Sequence, residues 1–155
     1  MAVSAVPDAV EQLFELLQSQ AGTTLAGVRL MDGPPTTNFS DRERLYIGYS
    51  PGTDQAVEIQ QEFAGAGARQ RDEDFNITCY LEVSWGDTNM RLRRQRLFSI
   101  LEAVDKVLRN SGQAGTTLNG SVQWAHLTVA SLSQIQDPDG AVASAVFTVS
   151  CHARI

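Results

Sequence analysis

The sequence predicts an α+β domain in which one antiparallel or mixed β-sheet carries an N-terminal helix and a second, long helix on one face. Two stretches have apolar residues at helical spacing, and several others alternate apolar and polar residues with the period of a strand. Strands that follow one another along the chain favour antiparallel pairing, with the helices gathered on one side. The length of 155 residues is that of one domain, which we expect to span residues 1–155.

The two helices are predicted from their apolar stripes and from the residues that begin them. The first covers residues 6–20, with Ser4 as its N-cap and apolar side chains spaced i, i+3, i+4 and i+7. The second covers residues 88–110, with Asp87 or Thr88 as its N-cap. The predicted buried stripe of this second helix consists of Met90, Leu97, Ile100, Leu101, Val104, Val107 and Leu108.

The clearest strand signal lies in residues 74–85, where apolar residues occupy the odd positions and polar residues the even ones. Residues 147–155 alternate in the same way, and residues 121–131 are rich in β-formers. The turn sequence Asp-Pro-Asp-Gly at 137–140 lies between these last two strands, so they are expected to form a long hairpin arm. Shorter strands are predicted at 25–31, 44–49 and 56–63, and an exposed loop at 32–42.

The formal charge of −6 is unevenly distributed along the chain. Residues 1–90 hold 14 acids and 5 bases, residues 91–110 hold 6 bases and 2 acids, and residues 111–155 hold 2 acids and 1 base. An acidic balance argues against a general nucleic-acid binder, whose affinity comes mostly from neutralising phosphates. The start of the chain lacks a basic region, and no apolar run reaches the roughly 20 residues of a membrane span. We therefore expect neither a secretory leader nor a membrane partner.

Much of the positive charge is concentrated in the first turns of the predicted second helix. This arginine cluster consists of Arg91, Arg93, Arg94 and Arg96. It is either a solvated helix face or a contact surface for an acidic patch on a neighbouring subunit. A phosphate-binding role is a third interpretation, which the acidity of the rest of the domain disfavours.

The sequence contains few residues in patterns typical of catalytic or metal-binding sites. Cys79 and Cys151 lie on apolar strand faces, where they are buried thiols or, if the strands are neighbours, a disulfide. A dyad of Cys151 with His152 is disfavoured, because adjacent strand residues point to opposite faces. The carboxylates of residues 72–74 are expected in a mobile, solvated turn, where nothing raises their pKa by burial. No zinc-ligand spacing, GxxxxGK(S/T) phosphate loop or GxSxG nucleophile motif is present, so we expect no enzyme activity, cofactor or metal.

The segment at residues 64–74 (AGAGARQRDED) combines small residues with alternating charge between two predicted strands. Its glycines are not followed by a helix, so the anion site of a phosphate-binding loop is missing. The segment is either a mobile hairpin tip or an arm that makes a rim contact in a ring assembly.

Several stretches together resemble the tail terminator and related head-to-tail connector proteins of long-tailed (siphovirus-type) phages, especially those of actinobacterial hosts. No single stretch is specific, and the resemblance depends on their order and spacing. The matching stretches are VRLMDGPP at 28–35, YIGY at 46–49, QEFAGAGARQRDEDFNITC at 61–79, the arginine-rich helix from Asp87, and the ending SLSQIQDPDGAVASAVFTVSCHARI at 131–155.

The resemblance implies a non-enzymatic structural protein at the head-proximal end of the virion tail, assembled in the host cytoplasm. Such proteins form a homohexameric ring that caps the tail tube, stops its polymerisation and presents a surface to the head connector. DNA passes through the lumen without specific binding, which suits an acidic chain. A head-closure or neck subunit of the same assembly is the first alternative, and a small ligand-binding or hydrolase domain is the second.

A ring of identical subunits needs two different patches on each subunit that meet head to tail. Opposite charges on those patches would fix the register of the contact more than its affinity. The acidic first helix is one expected patch. The candidate interface residues are Arg69, Arg71, Asp72, Glu73, Asp74, Arg91, Arg93, Arg94 and Arg96.

Overall fold

The structure, a computed structural model, describes residues 3–35, 41–65, 67, 69–111 and 116–155. These ranges contain two helices and one six-stranded sheet, which confirms the predicted α+β fold. Parts of the predicted loop at 32–42 and of the segment at 64–74 lie outside the described residues. In chain order the elements are α1 Val6–Gln18, β1 Val28–Asp32, β2 Glu43–Ile47, β3 Val57–Phe63, β4 Arg71–Ser84, α2 Met90–Arg109, β5 Trp124–Asp137 and β6 Gly140–Arg154.

The sheet is mixed, with the strand order β1-β2-β4-β6-β5 and with β3 also paired to β4. β1 and β2 are parallel, and every other pair is antiparallel. β2 pairs with residues 79–83 of β4 and β3 pairs with residues 71–77, so these two short strands lie end to end along one edge of β4. β6 runs along the other edge and carries β5. The sheet therefore has β1 and β3 at one edge and β5 at the opposite edge.

α1 starts at Val6, as predicted, and ends at Gln18, two residues before the predicted end, but its N-cap is not the predicted Ser4. Ala5 is the N-cap residue and makes no side-chain capping bond, and Ser4 lies just before it. The Ser4 hydroxyl accepts a hydrogen bond from the Val6 N–H at 3.0 Å, while the Ala5 N–H donates to the Glu73 carboxylate at 2.8 Å. A carboxylate from β4 thus supplies the acceptor that local sequence was expected to provide.

α2 is capped by Asn89, and not by Asp87 or Thr88 as predicted. The Asn89 side chain accepts a hydrogen bond from the Leu92 N–H at 3.3 Å, which satisfies one of the free donors of the first turn. The predicted apolar stripe is largely confirmed, and one charged residue joins it. The buried residues of α2 are Arg93, Leu97, Ile100, Leu101, Val104 and Leu108.

One hydrophobic core lies between the two helices and one face of the sheet. Alternate residues of β4 and β6 supply it, with Phe75 and Phe147 as its largest side chains. The predicted alternation over 74–85 is correct as far as Val83, but Trp85 lies beyond the strand and is exposed. Since the helices cover one face, the other face of the sheet, called here the open face, has no helix on it among the described residues.

The predicted turn at 137–140 is confirmed as a two-residue connection between β5 and β6. Asp137 pairs with Gly140, and the Asp139 N–H donates to the Asp137 carboxylate at 2.8 Å. Gly140 has a φ of +127°, and the next amide, of Ala141, donates to the Asp87 carbonyl at 2.7 Å. The turn is therefore held against the chain that leads into α2.

Candidate assembly surfaces

The three carboxylates at 72–74 belong to β4, and the prediction of a mobile, solvated turn is wrong for them. Asp72 lies beside Arg154 on the open face, where the Arg154 Nε donates to Asp72 at 2.8 Å. This hydrogen bond lowers the pKa of the Asp72 carboxyl. Asp74 lies 2.7 Å from Nδ1 of His152 on the neighbouring strand. Both acids of the open face thus have partners inside the chain.

Glu73 is fully buried, which removes it from the predicted interface. Its carboxylate accepts hydrogen bonds from the Ser4 hydroxyl at 2.7 Å, from the Ala5 N–H and from the Gln61 side-chain amide. These donors come from the start of α1 and from β3. Glu73 therefore joins α1 to the sheet, because a buried carboxylate is stable only when such donors surround it.

Arg93 is also buried, and the prediction that it contributes to an intersubunit contact is wrong. Its guanidinium lies 5.6 Å from the centre of the Trp85 ring and 3.6 Å from the Asp87 carboxylate. Two of its nitrogens, Nε and Nη1, have no hydrogen-bond partner among the described residues. The aromatic face supplies part of the missing stabilisation, as a cation–π contact does.

Arg96 is used within the subunit, where its guanidinium forms a two-pronged ion pair with buried Glu43. The Nε–Oε2 distance is 2.5 Å and the Nη2–Oε1 distance is 3.0 Å. The hydrogen bond to Glu43 raises the pKa of Arg96. This pair fastens α2 to β2, so Arg96 is a structural residue of the fold.

Arg91 and Arg94 remain exposed and make no ion pair with a described residue. Arg94 donates to the Gln134 side chain of β5 at 2.8 Å, so it lies on the side of α2 that faces the β5 edge. Arg69 is exposed too, whereas Arg71 is half-buried at the start of β4. In the arginine cluster, Arg93 and Arg96 are therefore used inside the subunit, whereas Arg91 and Arg94 are exposed to contact with another molecule.

The β5 edge is an open surface along most of its length. Its first part is closed where the Ala125 N–H donates to the Thr116 carbonyl at 2.7 Å, and from there the strand pairs only with β6 in the described part of the chain. Val129 and Leu132 are each 40% exposed on the helix side of the sheet. A shallow groove of about 260 Å³ lies beside them, and its apolar lining is Phe98, Leu101, Leu127 and Val129. Its charged lining is Glu102, Asp105 and Arg109, of which the last two form an ion pair with each other. We call the β5 edge, with Phe98 and with Arg91 and Arg94 in the first turns of α2, the basic surface.

A second open surface lies at the opposite edge of the sheet. Ile59 is half-exposed and Phe63 is 72% exposed, both on the helix side of β3. The start of α1 lies next to this strand, because the Gln61 side chain donates to the Val3 carbonyl at 3.0 Å. We call the β3 edge, with the exposed flank of α1, the acidic surface. The acidic residues of that flank are Asp8, Glu11 and Glu15, and none makes an ion pair with a described residue.

These two edges were missed by the sequence reasoning, which treated apolar residues of strands as core. The signal was the alternation itself, which predicts an apolar side on every strand, together with the prediction of two helices to cover those sides. In the described strands, the large apolar side chains left exposed lie on β3 and β5, at opposite edges of the sheet.

The open face of the sheet is polar and aromatic. Tyr46, Tyr49 and Tyr80 form one cluster with ring centres 5.2 to 6.2 Å apart, and burial raises the pKa of Tyr80 to about 12. Near the other end, the Trp124 ring stacks on His126 and His152 at 5.1 and 5.7 Å. Stacked rings of this kind hold neighbouring strands in register.

Both cysteines are buried free thiols. Cys79 pairs with Phe147 and Cys151 pairs with Phe75, so the two residues do not face each other across β4 and β6. Burial raises the pKa of both thiols to about 12. The expected geometry of Cys151 and His152 is confirmed, since the thiol points into the core and the imidazole lies on the open face. A buried, protonated thiol of this kind is a poor nucleophile.

We expect both thiols of the folded protein to resist alkylation at pH 8. Since only the thiolate reacts, a pKa near 12 leaves a minute reactive fraction. Labelling with iodoacetamide, followed by mass spectrometry, should show both sites modified only after denaturation. Rapid modification of Cys151 in the folded protein would contradict this burial and would reopen a role for it in catalysis.

Comparisons with known proteins leave the family open. No protein-family model matches the chain, and no curated protein is significantly similar to it. None of the helices in the described ranges is long and apolar enough to cross a membrane. Function must therefore be argued from the two surfaces and from the resemblance in sequence.

Proposed function

We propose that this protein is a phage tail terminator, which forms a ring on the last layer of the tail tube, stops its growth and presents a surface to the head connector. The observation that carries the proposal is the pair of unequal surfaces on opposite edges of one sheet. A subunit with two different, complementary patches associates head to tail, and such contacts close into a ring when the rotation between subunits permits.

The sequence resemblance supports the same conclusion from a different direction. The matched stretch at 61–79 covers the end of β3 and much of β4, and the matched ending at 131–155 covers most of the β5–β6 hairpin. Each stretch reaches one edge of the sheet, through residues 61–63 of β3 and residues 131–137 of β5, while the other strand residues of both stretches lie in the central pair of β4 and β6. The resemblance therefore includes part of each edge strand that a ring would use between its subunits.

The charge distribution suits a subunit that surrounds a passage for DNA. Residues 1–90 carry nine more acids than bases, and several of these acids lie on the open face of the sheet or at its rim. A surface of this sign repels phosphate, so DNA would cross the lumen without adhering. The acids of β3 and β4 that face this way are Glu58, Glu62, Asp72, Asp74 and Glu82. The arginines Arg29, Arg44 and Arg154 lie on the same face and neutralise part of this charge, so acids remain in excess among these residues.

Tube growth provides the test of this function. Purified tail-tube subunits of the same phage would be polymerised with and without this protein, and tube lengths would be measured by electron microscopy. We expect addition at substoichiometric amounts to stop elongation and to shorten the length distribution, because one ring blocks one growing end. An unrelated acidic protein of similar mass is the control for non-specific inhibition.

Unchanged tube lengths, with no protein bound at either tube end, would contradict the terminator function. Binding to purified head-connector rings without any effect on tube growth would instead favour a neck or head-closure subunit. Virion localisation at the head-proximal end of the tail, after assembly in the host cytoplasm, is part of the proposal and is checked by the same imaging on whole particles.

A further inference from the structure

We infer that neighbouring copies of this chain join by placing the basic surface of one copy against the acidic surface of the next. In this arrangement β5 of one sheet lies beside β3 of the next, and the arginine-bearing flank of α2 lies beside the acidic flank of α1. The inference rests on the proposed function in so far as it takes the partner to be a second copy of this chain.

The apolar residues of the two edges lie on matching sides of their sheets. Val129 pairs with Phe147 and Leu132 pairs with Ala145, and both of those β6 partners are buried on the helix side. Ile59 pairs with buried Phe75, so it also lies on the helix side, as does Phe63 four residues later. If β3 continues the sheet beyond β5, these apolar side chains meet on one side.

The backbone of the two edges also has unpaired hydrogen-bonding groups. A long exposed edge strand has free N–H and C=O groups, and proteins rarely leave such an edge open. A bulge between Val129 and Ser131 interrupts β5, and the regular stretch after it runs from Ser131 to Asp137. That stretch has seven residues, as does β3. Pairing between copies would cover β3 and this stretch of β5 in every subunit of a closed ring.

Charge selects the head-to-tail arrangement over a symmetric one. Arg91 and Arg94 flank the β5 edge, and Glu11 and Glu15 line a shallow groove with Asp32 of β1 at the opposite edge. Head-to-tail contact brings the arginines towards the acids. Two β5 edges meeting symmetrically about Gln134, which Arg94 contacts, would bring the Arg94 side chains of both copies together, and like charges at an interface disfavour that pairing.

Directed cross-linking tests the arrangement. Two populations would be prepared, one carrying Phe63→Cys and the other Leu132→Cys, each on the wild-type background in which both native thiols are buried. A disulfide forms only when the two Cα atoms come within about 7 Å. We expect a disulfide-linked dimer under mild oxidation only in the mixture. Ile135→Cys is the matched control, since it is exposed on the same strand but lies on the open face.

Cross-linking of Leu132→Cys with itself would overturn the head-to-tail arrangement in favour of a symmetric β5 contact. Cross-linking of the Ile135 control as efficiently as of Leu132 would also overturn it, because the faces would then not be matched. Absence of any cross-link in assembled rings would show that a different surface joins the copies.

A charge exchange gives an independent readout on the same contact. The variant Arg91→Glu with Arg94→Glu should raise the protein concentration needed for half-assembly about tenfold, because exposed ion pairs contribute little individually. Mixing it with the variant Glu11→Arg with Glu15→Arg should restore assembly. Light scattering and far-UV circular dichroism would measure assembly and folding separately.

Unaltered assembly of the Arg91/Arg94 variant, or no rescue in the mixture, would contradict the proposed contact. The outcomes also separate this inference from the proposed function. Rings that cross-link as expected but do not cap tubes would leave the contact standing and overturn the terminator function. Tube capping by chains that never cross-link at these positions would support the terminator function and overturn the proposed contact.

Discussion

Replacement of Gly140 by alanine is expected to lower the free energy of unfolding by about 3 kcal/mol. A Cβ atom at this position would lie 2.3 Å from the carbonyl oxygen of Trp85 and 2.6 Å from that of Asp87. Both contacts are with backbone, so no side chain can rotate away to relieve them. The φ of +127° adds strain for any residue with a Cβ. Urea unfolding followed by circular dichroism would measure the loss.

Gly52 provides the matched control for this prediction. Its φ of +87° is also positive, but a Cβ there meets no atom within 4 Å. Gly52→Ala therefore adds only backbone strain, and we expect it to lower the free energy of unfolding by about 1 kcal/mol. Equal losses for the two variants would show that close approach of the turn to residues 85–87 does not determine stability at Gly140.

Replacement of Glu73 by leucine is also expected to lower the free energy of unfolding by about 3 kcal/mol. The substitution removes the acceptor of the Ala5 N–H, the Ser4 hydroxyl and the Gln61 amide, and the Ala5 N–H, which is buried at the start of α1, is left without a partner. An apolar side chain satisfies none of them. Hydrogen exchange in the first turn of α1 should accelerate together with the loss in global stability.

Glu73→Gln keeps the size of the side chain and one carbonyl acceptor, so it should lose clearly less stability than the leucine variant. A leucine variant as stable as the wild type would show that α1 does not depend on this carboxylate. A glutamine variant as damaged as the leucine variant would show that the negative charge, and not the acceptor, is what the start of α1 requires.

The fold class could be predicted from the sequence because it depends on local periodicity. The alternation from Phe75 to Val83 and the stripe of α2 each describe one face of one element, and both are confirmed. The turn at 137–140 was predicted because its residue types match its geometry. Pairing between distant strands, including the parallel pair of β1 and β2, has no comparable local signal.

The error at residues 72–74 has a physical cause. A run of three acids suggests solvent, but in β4 these residues are paired on both sides, with β3 and with β6. Backbone pairing extends the strand, and alternation then turns Glu73 inward while its neighbours face outward. The donors that make burial of Glu73 acceptable come from residues 4, 5 and 61, which no local pattern connects to it.

The arginine cluster shows a signal that was present in the sequence and was not used. Arg93 precedes Leu97 by four residues and Ile100 by seven, so helical spacing places it on the buried stripe. Reversing its charge would test folding more than assembly. Arg91 and Arg94 lie off that stripe, and they are the pair with which assembly can be tested.

The uneven charge of the chain is divided between the two edges of its sheet. The acids of α1 lie at one edge, and Arg91 and Arg94 of α2 lie at the other, with exposed apolar residues beside each set. This arrangement serves a subunit that meets copies of itself in one direction, and the fold holds the two surfaces apart across a rigid sheet.

The most direct measurement is an electron-microscopic reconstruction of tail tubes assembled with this protein. We expect a closed ring of this chain at one end of each tube, with β5 of every subunit beside β3 of the next. Tubes with no added density at their ends, or with the protein distributed along their length, would contradict the proposal that this protein terminates the tail.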